Sequence, residues 1–252
     1  MDLQNRSTPI TNYTISQAQT SERTGVKSFM SNVFMYMFLA LGVSALFAYL
    51  FSGNEQLLGY LRDRVTGQMH PLGWIVMFAP LGFVLLMSFG YNRLSAPVMA
   101  ILFIVYAAIN GISFSFILLA YTAGSVLGCF LSAAAMFGIM AIMGYTTNKD
   151  LTSFGRIMMM GLIGIIVASL INLFLHSNTM DYIISFIGVM VFTGLTAYDV
   201  QKLKHIGEGI AYEGAPAAVE VKKRSIMGAL TLYLDFINLF LFLLRLFGSR
   251  RD

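Results

Sequence analysis

Residues 226–247 read IMGALTLYLDFINLFLFLLRLF. From Ile226 to Leu244 a single charged residue, Asp235, interrupts an apolar run long enough to cross the roughly 30 Å hydrocarbon core of a bilayer as an α-helix. A water-facing helix would keep a polar face, whereas this one is apolar nearly all round. In lipid every backbone N–H and C=O must be satisfied internally, which selects a helix. An ionised carboxylate at that depth costs about 2.5–3.5 kcal/mol even on a lenient scale. Asp235 must therefore face the interior of a bundle and find a partner there.

Six more stretches of the same kind precede it, at about residues 29–52, 72–90, 96–118, 125–145, 157–175 and 181–201. The sequence thus predicts an all-α integral membrane protein with seven transmembrane helices. Composition agrees: of 252 residues 57% are hydrophobic and 11% charged, whereas a soluble domain carries about 25% charged residues. Seven spans leave room for short loops and a tail, not for a soluble catalytic domain. The division expected is a disordered cytoplasmic tail over 1–28, a membrane domain over 29–248 and a short C-terminal tail over 249–252. The tail lacks the apolar core of a signal peptide.

The net charge of +4 does not point to nucleic acid, because the basic residues sit at span ends, where they set topology and touch lipid headgroups. With seven spans, the side holding the N-terminus carries eleven of the sixteen Lys and Arg, which places that terminus in the cytoplasm. Arg245, Arg250 and Arg251 pull the other way, and a re-entrant last span would return the C-terminus to the cytoplasm. Pro80 should kink or weaken the second span. Small-residue pairs such as Gly128 and Ser132, Ala134 and Gly138, and Gly161 and Gly164 have helix-contact spacing. Asp150, Thr152 and Ser153 are candidate N-caps for the fifth span. Cys129 lies in a span and reads as packing.

No HExxH, CxxC, GxSxG or Walker A pattern occurs, and His70, His176 and His205 are scattered, so the reading is of a non-enzyme. The residues that carry chemistry are Asp199, near the end of the sixth span, and Asp235. The polar stretch from Lys202 to Ser225 reads as a long loop joining two antiparallel spans. On that reading Asp199 lies about 5 Å and Asp235 about 14 Å from the same membrane face. Two carboxyls that meet in a poorly solvated site can share one proton, and losing it leaves repelling charges, a route to a pH-sensitive gate. The pair also suits Ca²⁺ as a bound or transported ion, since hard cations prefer oxygen ligands. Thr196, Asp199 and Lys202 form one polar stripe, and Thr231, Asp235 and Asn238 another. The competing structural reading pairs Asp199 with Lys202 and Asp235 with Asn238 as packing glue. Asn110 and Asn172 are candidates for interhelical hydrogen bonds, and Arg93 for snorkelling or pairing with an aspartate.

Three segments, Asn148–Gly155, Phe192–Lys204 and Leu232–Gly248, taken in order within seven spans, resemble bacterial members of the Bax inhibitor-1 (transmembrane Bax inhibitor motif) family. The resemblance runs from about residue 29 to 248. It implies a bundle with the last helix central, surrounded by the other six. It also implies a pH-sensitive Ca²⁺ leak of the bacterial inner membrane, with Asp199 and Asp235 as the sensor pair; Arg93, Lys202 and Asn238, from their own positions in the sequence, are candidate gating or supporting residues. No cofactor is implied beyond Ca²⁺ as the ion handled; the partners are membrane lipids, Ca²⁺ and protons. The alternative is a membrane-embedded regulator that binds another membrane protein, such as a membrane-bound protease. Some family members place an acidic residue in the second span and a basic one at its cytoplasmic end. Here those positions are Pro80 and Tyr91, with Arg93 two residues further on.

Overall fold

A computed structural model describes the backbone of residues 9–63, 66, 68–212 and 218–251, and the side-chain surroundings of residues 24–63, 66, 68–210 and 218–251. Residues 1–8 of the expected tail and Arg64 lie outside the described residues. The chain forms α1 (Pro9–Ser52), α2 (Glu55–Leu61), α3 (Pro71–Gly90), α4 (Ala96–Ala120), α5 (Ala123–Thr146), α6 (Thr152–Leu175), α7 (Asn178–Tyr212) and α8 (Ala218–Phe247). All but the short α2 are long and apolar enough to span a membrane, in α1 over Thr24–Ser52. The backbone of α1 is already helical from Pro9, within the segment that composition reads as tail.

Burial sorts the spans into an inner and an outer set. In the most apolar window of α8, 72% is buried, and in that of α7, 61%, against 11% for α3 and for α6. The main packing partners of α8 are α1, α4, α5 and α7, while α6 lies on α7 and α3 on α2 and α4. The α3 chain nevertheless reaches α8 at one end, through Tyr91 and Glu220.

Two sequence expectations change. The stretch 202–225 is not a long loop: α7 continues to Tyr212 and α8 starts at Ala218. Its polar side chains sit at helical spacing and pair along the helix, Lys204 with Glu208 at 4.0 Å, His205 with Glu208 at 2.9 Å and Arg224 with Glu220 at 3.4 Å. Polarity there marks where a helix leaves the apolar layer, not where it stops. Nor is α8 re-entrant. It is one continuous helix whose far end carries Ser249–Arg251 onto the α4–α5 turn, Thr122 N donating to Ser249 O at 2.9 Å and Arg251 N to Ala120 O at 3.0 Å.

Pro80 leaves α3 helical across its whole length, for a reason visible on α4. Proline has no N–H, so the carbonyl four residues earlier, on Val76, loses its helical donor. Ser113 Oγ donates to Val76 O at 2.9 Å and replaces it. Ser113→Ala is expected to lower stability by about 1 kcal/mol, because it orphans a buried carbonyl. Thermal unfolding in detergent measures this, and an unchanged midpoint would contradict it.

Of the glycines in the small-residue pairs singled out by spacing, Gly161 marks a tight contact, an added Cβ there standing 2.8 Å from Val191 on α7. A Cβ added at Gly128, Gly138 or Gly164 would meet nothing within 4 Å, because these positions face outward. Close approach occurs at Gly111, against the Ser44 backbone, and at Gly144, against the Ala197 backbone. Spacing of small residues is satisfied on every face of a glycine-rich helix, so it does not choose the face.

Candidate functional site

Asp199 and Asp235 meet. Their carboxyls lie against each other across the α7–α8 contact, within reach of a side-chain hydrogen bond. Such a bond needs a proton on one partner, since two carboxylates offer only acceptors. Asp235 is 5% exposed, and its Oδ2 has no hydrogen-bond partner. The extended helices explain how they reach each other. Asp199 lies roughly 20 Å from the α7 end at Tyr212 and Asp235 roughly 26 Å from the α8 start at Ala218. The offset along the two helices is thus smaller than the polar boundaries at Lys202 and Ser225 imply.

A cavity of about 160 Å³ opens onto Asp199 from the α7–α8 end. Its wall includes Tyr91, Lys202, Leu203, Arg224, Gly228 and Thr231 beside Asp199, but not Asp235. One carboxyl of the pair therefore borders a partly polar cavity and the other is sealed in the core. Lys202 is exposed and attracts Asp199 from the cavity wall. Asn238 Nδ2 donates to Leu234 O at 2.8 Å, within its own helix, and Thr196 and Thr231 likewise bond to Phe192 O and Met227 O. The packing-glue pairing of Asp235 with Asn238 is thus not adopted, and the partner of Asp199 is Asp235. Arg93 is exposed and outside the cavity wall.

Three further groups complete the surroundings. Gln201, 4% exposed, ties the α5–α6 loop to α7: its Nε2 donates to Lys149 O and its Oε1 accepts from Leu151 N, both at 2.8 Å. This gives the Asn148–Gly155 segment a physical role. Asp150 Oδ1 accepts from Thr152 N at 2.8 Å, and hydrogen bonding to Thr152 holds its carboxyl below the usual range. Gly155 lets the ring of Tyr198, the neighbour of Asp199, lie against α6. A second group is buried between α1, α4 and α8. Ser44 Oγ donates to Ala107 O at 2.7 Å and accepts from the Tyr233 hydroxyl at 2.7 Å, and Asn110 bonds to Tyr106 and Tyr233. Asn110 thus makes the interhelical bond its position suggested, to Tyr233 of α8, Tyr106 being on its own helix, while Asn172 ties α6 to α7 by donating to Asp181 Oδ1 at 3.0 Å. The third is the cluster of Tyr91, Glu220, Lys223 and Arg224 at the cavity mouth. A helical-stripe search misses all three, because each joins residues distant in the chain.

Among the described residues no group of three or more His, Cys, Asp and Glu is placed to hold a metal ion.

The chain matches the family described as Inhibitor of apoptosis-promoting Bax1 over residues 26–252. It belongs to the Bax inhibitor-1 family. The inner membrane protein YbhL of Escherichia coli K12 is 42% identical over 236 residues, covering 94% of this chain and 97% of that protein. The uncharacterized protein RP147 of Rickettsia prowazekii is 43% identical over 90% of this chain and 92% of its own length. An uncharacterized membrane protein of Streptococcus pyogenes is 38% identical over 91% and 96%. These alignments cover nine-tenths or more of both chains, so the likeness extends over the seven-helix unit, and this Bax inhibitor-1 chain is membrane-embedded.

Proposed function

We propose that this protein is a pH-sensitive calcium leak of a bacterial inner membrane, gated by Asp199 and Asp235. It is not an enzyme, and its N-terminus and the α7–α8 turn face the cytoplasm. The observation that carries this reading is the carboxyl–carboxyl contact between the two most buried spans, at the inner end of a cavity. While the pair holds one proton it fastens α7 to α8. When that proton leaves through the cavity, two negative charges face each other where solvent screening is weak, and the helices are driven apart. The same two charges then offer oxygens to a cation. Flux is therefore expected to rise with pH.

Purified protein in liposomes containing a calcium reporter tests this. Ca²⁺ entry that grows as the pH on the α7–α8 side is raised supports the reading. No flux at any pH overturns it, and if a membrane protein co-purifies stoichiometrically the role shifts to regulation of that partner.

A further inference from the structure

Arg245, Arg250 and Arg251 lie at the end of α8 remote from most basic residues of the chain, so topology does not account for them. Residues beyond a last helix ordinarily fray, but the backbone of Arg250 and Arg251 is held. Arg251 N donates to Ala120 O at 3.0 Å, Thr122 N donates to Ser249 O at 2.9 Å, and Arg250 pairs antiparallel with Tyr121. Gly248 packs against the Tyr121 ring, where a Cβ would stand 2.7 Å from ring carbons. Both arginines are exposed, and neither forms an ion pair among the described residues.

At this end of the bundle a half-open apolar cleft of about 230 Å³ lies between α1, α4, α5 and α8. Its wall includes Ser44 and Ala45 on α1, Ile117 on α4, Val126 and Phe130 on α5, and Phe240 on α8. Ile117 and Val126 are each about one helical turn from Tyr121 and Thr122, the residues that hold the arginines. α4 packs mainly on α1 and α3, and α5 on α7 and α8, so the two helices part below the turn that joins them. Phe130 stands edge-on to Phe236 and Phe240, with centroids 5.3 and 6.0 Å away, and makes one side of the cleft rigid. The hydroxyl of Ser44 is already engaged by Ala107 O and Tyr233. The cleft therefore offers no polar partner to a water or an ion, and it suits a hydrocarbon chain. A chain gains little by leaving lipid for an equally apolar cleft. Selectivity must then come from the rim, where guanidinium forks match phosphate oxygens.

We propose that the cleft and the two arginines form a binding site for one anionic phospholipid, with an acyl chain between α4 and α5 and the phosphate on Arg250 and Arg251. Arg245 is not part of it. Its guanidinium lies 5.8 Å from the centroid of the Phe242 ring, and Phe242 packs on Phe192 of α7, so Arg245 stands on the other side of α8. The site is independent of the leak reading, since it lies at the opposite end of α8 from the cavity that borders Asp199.

The full chain in neutral detergent is titrated with palmitoyl-oleoyl phosphatidylglycerol or with the phosphatidylcholine of the same chains, and bound lipid is counted by native mass spectrometry. One phosphatidylglycerol should be retained about tenfold more tightly than phosphatidylcholine, an effect of the size two arginines near a headgroup produce. Combining Arg250→Gln with Arg251→Gln should remove that preference, and it leaves the backbone bonds to the α4–α5 turn in place. Arg245→Gln should leave the preference intact. Ala45→Phe, at an exposed position in the cleft wall, should weaken phosphatidylglycerol retention severalfold with every charge unchanged. The thermal midpoint of each variant shows that it is folded. No preference in the native protein would overturn the site. So would equal losses in Arg245→Gln and the double variant, which mark surface charge alone, or unaltered retention in both Ala45→Phe and Ala45→Trp. Selective retention by a protein that shows no flux at any pH would uphold the site and dismiss only the leak.

Discussion

Asp235→Asn is expected to abolish the rise of calcium flux with pH, leaving flux at its low-pH level throughout. Asparagine has the size of aspartate, carries no charge and brings an amide donor. Its Nδ2 can donate to the Asp199 carboxylate at any pH, so the α7–α8 fastening persists where the native pair would have lost its proton. At the alkaline end of the profile the variant should conduct about tenfold less than the native protein, or lower still, the equivalent of roughly 1.4 kcal/mol of lost bias toward the open state. Asp199→Asn should flatten the profile in the same way, since the native bond then becomes an amide–carboxylate one. Asp235→Leu separates fastening from charge. It deletes the orphaned Oδ2 together with the hydrogen bond, so α7 and α8 lose their polar tie and flux should be raised and pH-independent. Parallel liposome profiles of the three variants decide the matter. A native-shaped profile in both asparagine variants would remove the pair from the gate, whatever the absolute flux.

The spans were legible because lipid imposes a crude, one-dimensional rule on a chain: length times hydrophobicity. That rule located all seven crossings to within a few residues at their apolar ends. It failed at the α7–α8 turn, because there the helix outlasts the membrane, and charges such as Lys204 and Glu208 that look like loop residues support each other along one face. Asp235 was legible for the same reason as the spans, since a lone carboxylate in an apolar helix demands a partner. That Asp199 is the partner rested on antiparallel geometry and the family resemblance, and the contact required helices longer than the polar boundary suggested. Gln201 and Tyr91 were not legible. Their partners, Lys149 O with Leu151 N and Glu220, are fixed by packing between distant segments. The apolar context that exposes a buried carboxylate says much less about an amide near a span end or a phenol just beyond one.

Gly144→Leu should cost about 3 kcal/mol or more, the largest loss of stability expected for any single change considered, while Gly138→Leu on the same helix should cost almost nothing. Both glycines are on α5 in an apolar setting, and it is Gly138, not Gly144, that belongs to a small-residue pair. At Gly144 an added Cβ would stand 2.9 Å from Ala197 C and Cα and closer still to Ala197 O. Those are backbone atoms of α7, which cannot rotate aside as a side-chain tip can, so the helices must separate and their packing is lost along the contact. At Gly138 nothing lies within 4 Å, and a leucine there simply faces lipid tails. Chemical unfolding in detergent should show the contrast, and equal midpoints for the two variants would contradict the α5–α7 contact. The consequence reaches the gate, because Ala197 lies two residues before Asp199 on α7. Gly144→Ala, the smallest version of the change, already places a Cβ against that backbone. It should therefore disturb the Asp199–Asp235 contact, and with it the pH dependence of flux, in protein that still folds and purifies as a single species.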